Sequence, residues 1–86
     1  MNCFLISFQV SSERRPELLS AIKSLGTWAR ITDSTYCIKV DKTCVEIRDK
    51  LRDSLDESSR IFVVDITNSS WGSYRIPQIV TNWLKE

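Results

Sequence analysis

Residues 24–41, SLGTWARITDSTYCIKVD, limit the possible folds more than any other stretch of the chain. A run with helical spacing stops at Gly26, where a left-handed cap is expected. Two alternating segments follow and turn back on each other at Asp33-Ser34, residues that support a tight turn through side-chain to backbone bonds. The alternation assigns Ala29, Ile31, Tyr36, Ile38 and Val40 to a core face. Trp28, Arg30, Thr32, Thr35, Cys37 and Lys39 then fall on the opposite face. An antiparallel hairpin in mid-chain, entered from a helix, leaves few architectures open.

The flanking segments narrow these to one. Residues 2–10 alternate Phe4, Ile6, Phe8 and Val10 against Cys3, Leu5, Ser7 and Gln9, which predicts a first strand with one strongly apolar face. Pro16 suits a first helical turn, and Leu18, Ile22 and Leu25 form the apolar stripe of the helix that reaches Gly26. After the hairpin, Thr43 and Glu46 have the spacing of a capping box, followed by the stripe Cys44, Ile47, Leu51 and Leu55. Residues 60–67 predict a last strand, with Phe62, Val64 and Ile66 toward the core and Ile61, Val63 and Asp65 away from it. Residues 68–76 read as a loop that packs through Trp71 and Tyr74. Pro77 then opens a short helix carrying Ile79, Val80, Trp83 and Leu84.

The order strand, helix, strand, strand, helix, strand predicts an α+β fold. It is the ferredoxin-like split βαβ sandwich, βαββαβ, with antiparallel sheet order 4-1-3-2, both helices on one face and a short C-terminal helix appended. The expected organisation is a single domain over 1–86, with 1–67 as the βαββαβ core and 68–86 as a packed loop and helix.

Composition excludes several functions. Twelve Lys and Arg against eleven Asp and Glu leave a net charge of +1, which gives little long-range attraction for nucleic acid. There is no histidine, so the usual zinc sets and every His-based triad are absent. The three cysteines, Cys3, Cys37 and Cys44, are odd in number and lack C-x-x-C spacing. The apolar run at residues 3–8 is too short for a signal peptide or a membrane span. The expected location is therefore the cytoplasm, with free thiols and no membrane contact.

The segments AIKSLGTWARITDSTYCIKV, IRDKLRDSLDES and FVVDIT, with a closing NWLK, resemble the small bacterial and phage proteins grouped as SinR-like. Through fold and strand order these are similar to the second CRISPR-associated protein, the spacer-acquisition subunit, and to VapD. The resemblance implies homodimers and, in active members, a Mg²⁺-dependent nuclease whose key carboxylate ends the first strand. Matching that motif to Ser7-Phe8-Gln9-Val10 puts Gln9 at the carboxylate's place, and a neutral amide is a poor Mg²⁺ ligand beside a carboxylate.

Among other candidates, Asp65 is expected on the face of Gln9, near one sheet edge, as a substitute carboxylate. One carboxylate is few for such chemistry, and a turn-capping role is the plainer reading. The open sheet face is more informative. Leu5, Gln9, Trp28, Arg30, Cys37, Lys39, Ile61 and Val63 are expected there, with Trp71 from the C-terminal segment. An apolar patch of that size requires a cover, from the chain's own C-terminus, from another chain, or from both. The expected function is a non-enzymatic interaction protein without cofactor, a homodimer that binds a protein partner as adaptor, inhibitor or immunity factor. The alternatives are a degenerate nuclease using Asp65, or nucleic-acid binding through Trp28, Arg30 and Lys39.

Overall fold

Alternation along the first strand buries Phe4, Ile6 and Phe8 almost completely, and the rest of the molecule is assembled around that row. In a computed structural model, which describes residues 1–86, the elements are β1 (Asn2–Gln9), α1 (Arg15–Leu25), β2 (Thr27–Thr32), β3 (Thr35–Val40), α2 (Cys44–Arg52), β4 (Arg60–Asp65) and α3 (Gln78–Lys85). The sheet order is β2-β3-β1-β4, antiparallel throughout, as the sequence predicts. The fold is α+β and ferredoxin-like.

One face of the sheet carries α1 and α2. Leu18 and Ile22 of α1 and Ile47 and Leu51 of α2 close over Phe4, Ile6, Phe8, Tyr36 and Ile38 in a single core cluster. Full burial of an aliphatic or aromatic side chain contributes about 1.5–3 kcal/mol, so this cluster dominates the stability of so small a domain. The capping box at α2 forms as predicted: Thr43 Oγ1 accepts from Glu46 N at 3.2 Å, and Thr43 N donates to Glu46 Oε1 at 2.9 Å.

Three expectations are corrected. Gly26 is not a left-handed cap: its backbone is extended, at φ 174. The requirement is space, since a Cβ there would lie 2.4 Å from the carbonyl oxygen of Lys39.

The faces of β2 are also exchanged. Trp28 opposes Ile38 and Arg30 opposes Tyr36, which puts both on the helix-bearing side, whereas Ala29 opposes Cys37 on the other side. Ala29 is nevertheless buried, because the C-terminal segment covers that side. The helix-bearing side of β2 is the less covered one, with Trp28 41% exposed, so a period of two identifies two faces without telling which one is buried.

In β4 the exchange is the same. Val63 opposes Ile6 and Ile61 opposes Phe8, so both pack beside the core, while Phe62 opposes Ser7 and Val64 opposes Leu5 on the far face. Phe62 is 68% exposed. Four consecutive apolar residues, 61–64, contain no alternation from which to choose a side.

Candidate interaction face

The face opposite α1 and α2 is assembled by register. β1 contributes Cys3, Leu5, Ser7 and Gln9, β3 contributes Thr35, Cys37 and Lys39, and β4 contributes Arg60, Phe62 and Val64. It divides into two halves. Over β2 and β3 lies the C-terminal segment, in which Trp71, Ile76 and Leu84 approach Leu5, Ile31 and Cys37 around a cavity of about 140 Å³. Val80 of α3 is buried, whereas Ile79, one position earlier, faces solvent. Toward the Gln9 end of β1 and the Arg60 end of β4 there is no cover, and Ser7, Gln9 and Phe62 are exposed.

Lys39 fixes the covered half. Its Nζ donates to the carbonyl oxygen of Trp83 and, at 3.2 Å, to that of Glu86, and it stands 4.5 Å above the centre of the Trp83 ring. A cation at a helix C-terminus complements the unpaired carbonyls and the negative end of the dipole. This lysine is therefore committed to holding α3.

The two thiols on this face are kept protonated. Burial, with Cys3 as a near neighbour, pushes the Cys37 thiol up to about 12. Burial also raises Cys3, Lys39 acting against the shift and Asp65 with it. Such thiols are poor nucleophiles. Cys3 opposes Lys39 and Cys37 opposes Leu5, so the two are diagonal neighbours. Diagonal pairs stand about 7 Å apart, beyond the reach of about 4.5 Å between Cβ atoms that a disulfide requires.

Gln9 and Asp65 do not meet. Gln9 opposes Arg60 at one end of the β1–β4 pair, and Asp65 opposes Phe4 near the other end and on the other face. The Asp65 carboxylate accepts from Thr67 N at 2.9 Å and from Thr67 Oγ1 at 2.6 Å, bonds that hold its pKa below the usual range. Thr67 Oγ1 in turn accepts from Cys3 N at 2.9 Å. Asp65 thus fastens the end of β4 to the start of β1. No three side chains among the cysteines and acids gather as a metal site would require.

Trp28, Arg30 and Lys39 form no common row. Trp28 stacks with Tyr36 at 5.9 Å on the helix-bearing side, with Lys23 Nζ 4.5 Å above its ring. Arg30 is ion-paired to Asp33 beside the hairpin turn, and Lys39 is on the opposite face. Of the expected residues, the open face collects Leu5, Gln9, Cys37 and Lys39, with Trp71 close to Leu5, Cys37 and Lys39 and away from Gln9.

Sequence reasoning missed Phe62 and Arg60. Arg60 lies on the open face and makes no ion pair, although five ion pairs form elsewhere. No strand position on the open face is acidic, and residues 66–86 contain Arg75 and Lys85 with Glu86 as the one acid.

No family model matches the sequence, and no curated protein matches it. The fold is similar to the crystal structure of a hypothetical protein, TT1823, from Thermus thermophilus. The TM-score is 0.71 at 19% identity, covering 88% of this chain and 94% of that one. At that identity the likeness speaks for the fold. No helix is long and apolar enough to cross a membrane.

Proposed function

We propose that this is a small non-enzymatic interaction protein of SinR-like, phage or mobile-element type. It acts in the cytoplasm as a homodimer that engages a protein partner, as adaptor, inhibitor or immunity factor. The observation that carries the reading is the uncovered β1–β4 half of the open face. There Phe62 stands exposed beside Ser7, with Arg60 unpaired and no acidic residue among the open-face strand positions. An exposed aromatic next to a free arginine has the composition of interface anchors.

The nuclease alternative loses support because Gln9 and Asp65 lie on opposite faces and Asp65 is already bonded to Thr67. The nucleic-acid alternative loses it because Trp28 and Lys39 are on opposite faces.

The test is affinity capture from host lysate with three baits: the wild type, Phe62→Glu, and Lys50→Glu on α2. One protein should be retained by wild type and Lys50→Glu and weakened at least about tenfold by Phe62→Glu, as for an interface anchor. A partner held equally by all three baits, or none captured, contradicts the assignment. Clean protein that cleaves nucleic acid with Mg²⁺, and loses the activity in Asp65→Ala, would replace it with the nuclease.

A further inference from the structure

The two outer strands of the sheet are finished in different ways. Along β2 the register breaks at a bulge between Arg30 and Thr32, Arg30 is ion-paired to Asp33, and α3 packs against the strand. Bulges, charges and a covering helix are the devices that keep an edge from recruiting another strand. β4 has neither a bulge nor a charge over residues 61–64, which are apolar, regular, and free of Pro and Gly, and its helix, α2, packs on the core side of the strand.

Main-chain direction follows from two bonds. Ile66 N donates to Cys3 O, and Phe8 N donates to Ser34 O. Antiparallel alternation then turns the main-chain groups of Phe62 and Val64 toward β1, and those of Ile61, Val63 and Asp65 away from the sheet. Beside those outward groups, Ile61, Phe62 and Val63 join Cys44, Val45 and Arg48 of α2 in a groove of about 230 Å³. Val45 is 55% exposed there.

We propose that β4 pairs antiparallel with β4 of a second copy, across a two-fold axis perpendicular to the sheet, with the two Phe62 rings opposed at the axis. This rests on the reading above that the protein self-associates, and it specifies how. Such an axis keeps every side chain on its own face, and directly opposed residues share a face. Only registers that oppose residues of like parity are therefore allowed.

Centred on Phe62, the register gives Ile61 and Val63 main-chain bonds to Val63 and Ile61 of the second copy. The two Phe62 side chains then meet at a non-hydrogen-bonded pair, where opposed side chains approach most closely. Centred on Val63 instead, it would press the Asp65 carboxylate against Ile61 of the second copy, and desolvating a charge there is costly. Centring on Phe62 removes the exposed ring from water and keeps Asp65 at the margin. The contact is at the small end of specific interfaces, so the pairing depends on concentration.

The experiment combines light scattering over a dilution series with oxidative cross-linking in a Cys3→Ser, Cys44→Ala background. The expected mass is that of two chains at high concentration, falling to one on dilution. Val63→Pro and Phe62→Lys should hold it at one throughout. The proline removes an N–H that bonds nothing within the chain, and the lysine changes an exposed side chain. Phe62→Cys should link into dimers, whereas Val63→Cys and Val64→Cys should not. A monomer at every concentration overturns both this geometry and the homodimer reading. A dimer that survives both disrupting variants, or that links through Val63→Cys rather than Phe62→Cys, overturns the geometry and leaves the homodimer standing.

Discussion

The two faces of the sheet are built from the same strands, yet they serve different purposes. On the helix-bearing face, Phe4, Ile6 and Ile38 are wholly enclosed by α1 and α2. On the other face, Leu5 is half-buried, Ser7 and Gln9 are exposed, and Phe62 stands in water. The first face holds the fold together. The second is divided between the chain's own C-terminal segment, clamped by Lys39, and an uncovered strip on β1 and β4. An aromatic on the uncovered strip adds little to folding, and its value is in what it contacts from outside.

The comparison is broken most sharply by truncating one residue on each face. Ile38→Ala should lower unfolding free energy by about 2–5 kcal/mol, whereas Phe62→Ala should stay within about 0.5 kcal/mol, both read from urea titrations. Equal losses would mean that Phe62 is part of the core after all. Gly26→Ala comes next. A Cβ placed 2.4 Å from the Lys39 carbonyl oxygen meets backbone that cannot turn aside, and the cost should be about 1–3 kcal/mol.

Lys39→Met should cost about 1 kcal/mol, because it removes the charge and donors at the end of α3 while keeping the aliphatic stem. Its clearer readout is faster hydrogen exchange of α3 amides, with β1 and β3 amides unchanged. If α3 exchanges no faster, Lys39 does not hold it.

The smallest effect concerns acid. Bonds from Thr67 hold the Asp65 pKa below its ordinary value of 3.8. A depressed carboxylate contributes stability that is present above its unfolded pKa and disappears as pH falls through the folded value. Melting temperature should therefore fall less steeply below about pH 4 in Asp65→Asn than in the wild type. Parallel curves would contradict a fastening role for this residue.

Element order, turn position, strand order and the capping box of α2 were all legible from residue spacing, because each rests on local chemistry. The assignment of faces in β2 and β4 was not. Trp28 touches Tyr36 and Lys23 yet stays 41% exposed, while Ala29 is buried under the C-terminal segment, so hydrophobicity alone picks the wrong face. In β4 the unbroken run of Ile61, Phe62, Val63 and Val64 carries no period, and pairing with β1 decides the register. The candidate site shifted with those two strands, since Trp28 and Arg30 left the open face and Phe62 and Arg60 entered it. Gly26 shows the same limit on a smaller scale, because the chain around it signals a glycine while only the approach of Lys39 explains the need.

The chain contains three phenylalanines, and they divide cleanly: Phe4 and Phe8 are buried and Phe62 is exposed. Labelling them with 4-fluorophenylalanine and following the fluorine resonances as concentration rises, and then as the captured partner is added, tests most directly whether the uncovered strip is the contact surface. The Phe62 resonance should move from a solvent-like position while those of Phe4 and Phe8 stay fixed. A Phe62 resonance that remains solvent-like at every concentration and with partner bound would contradict the account.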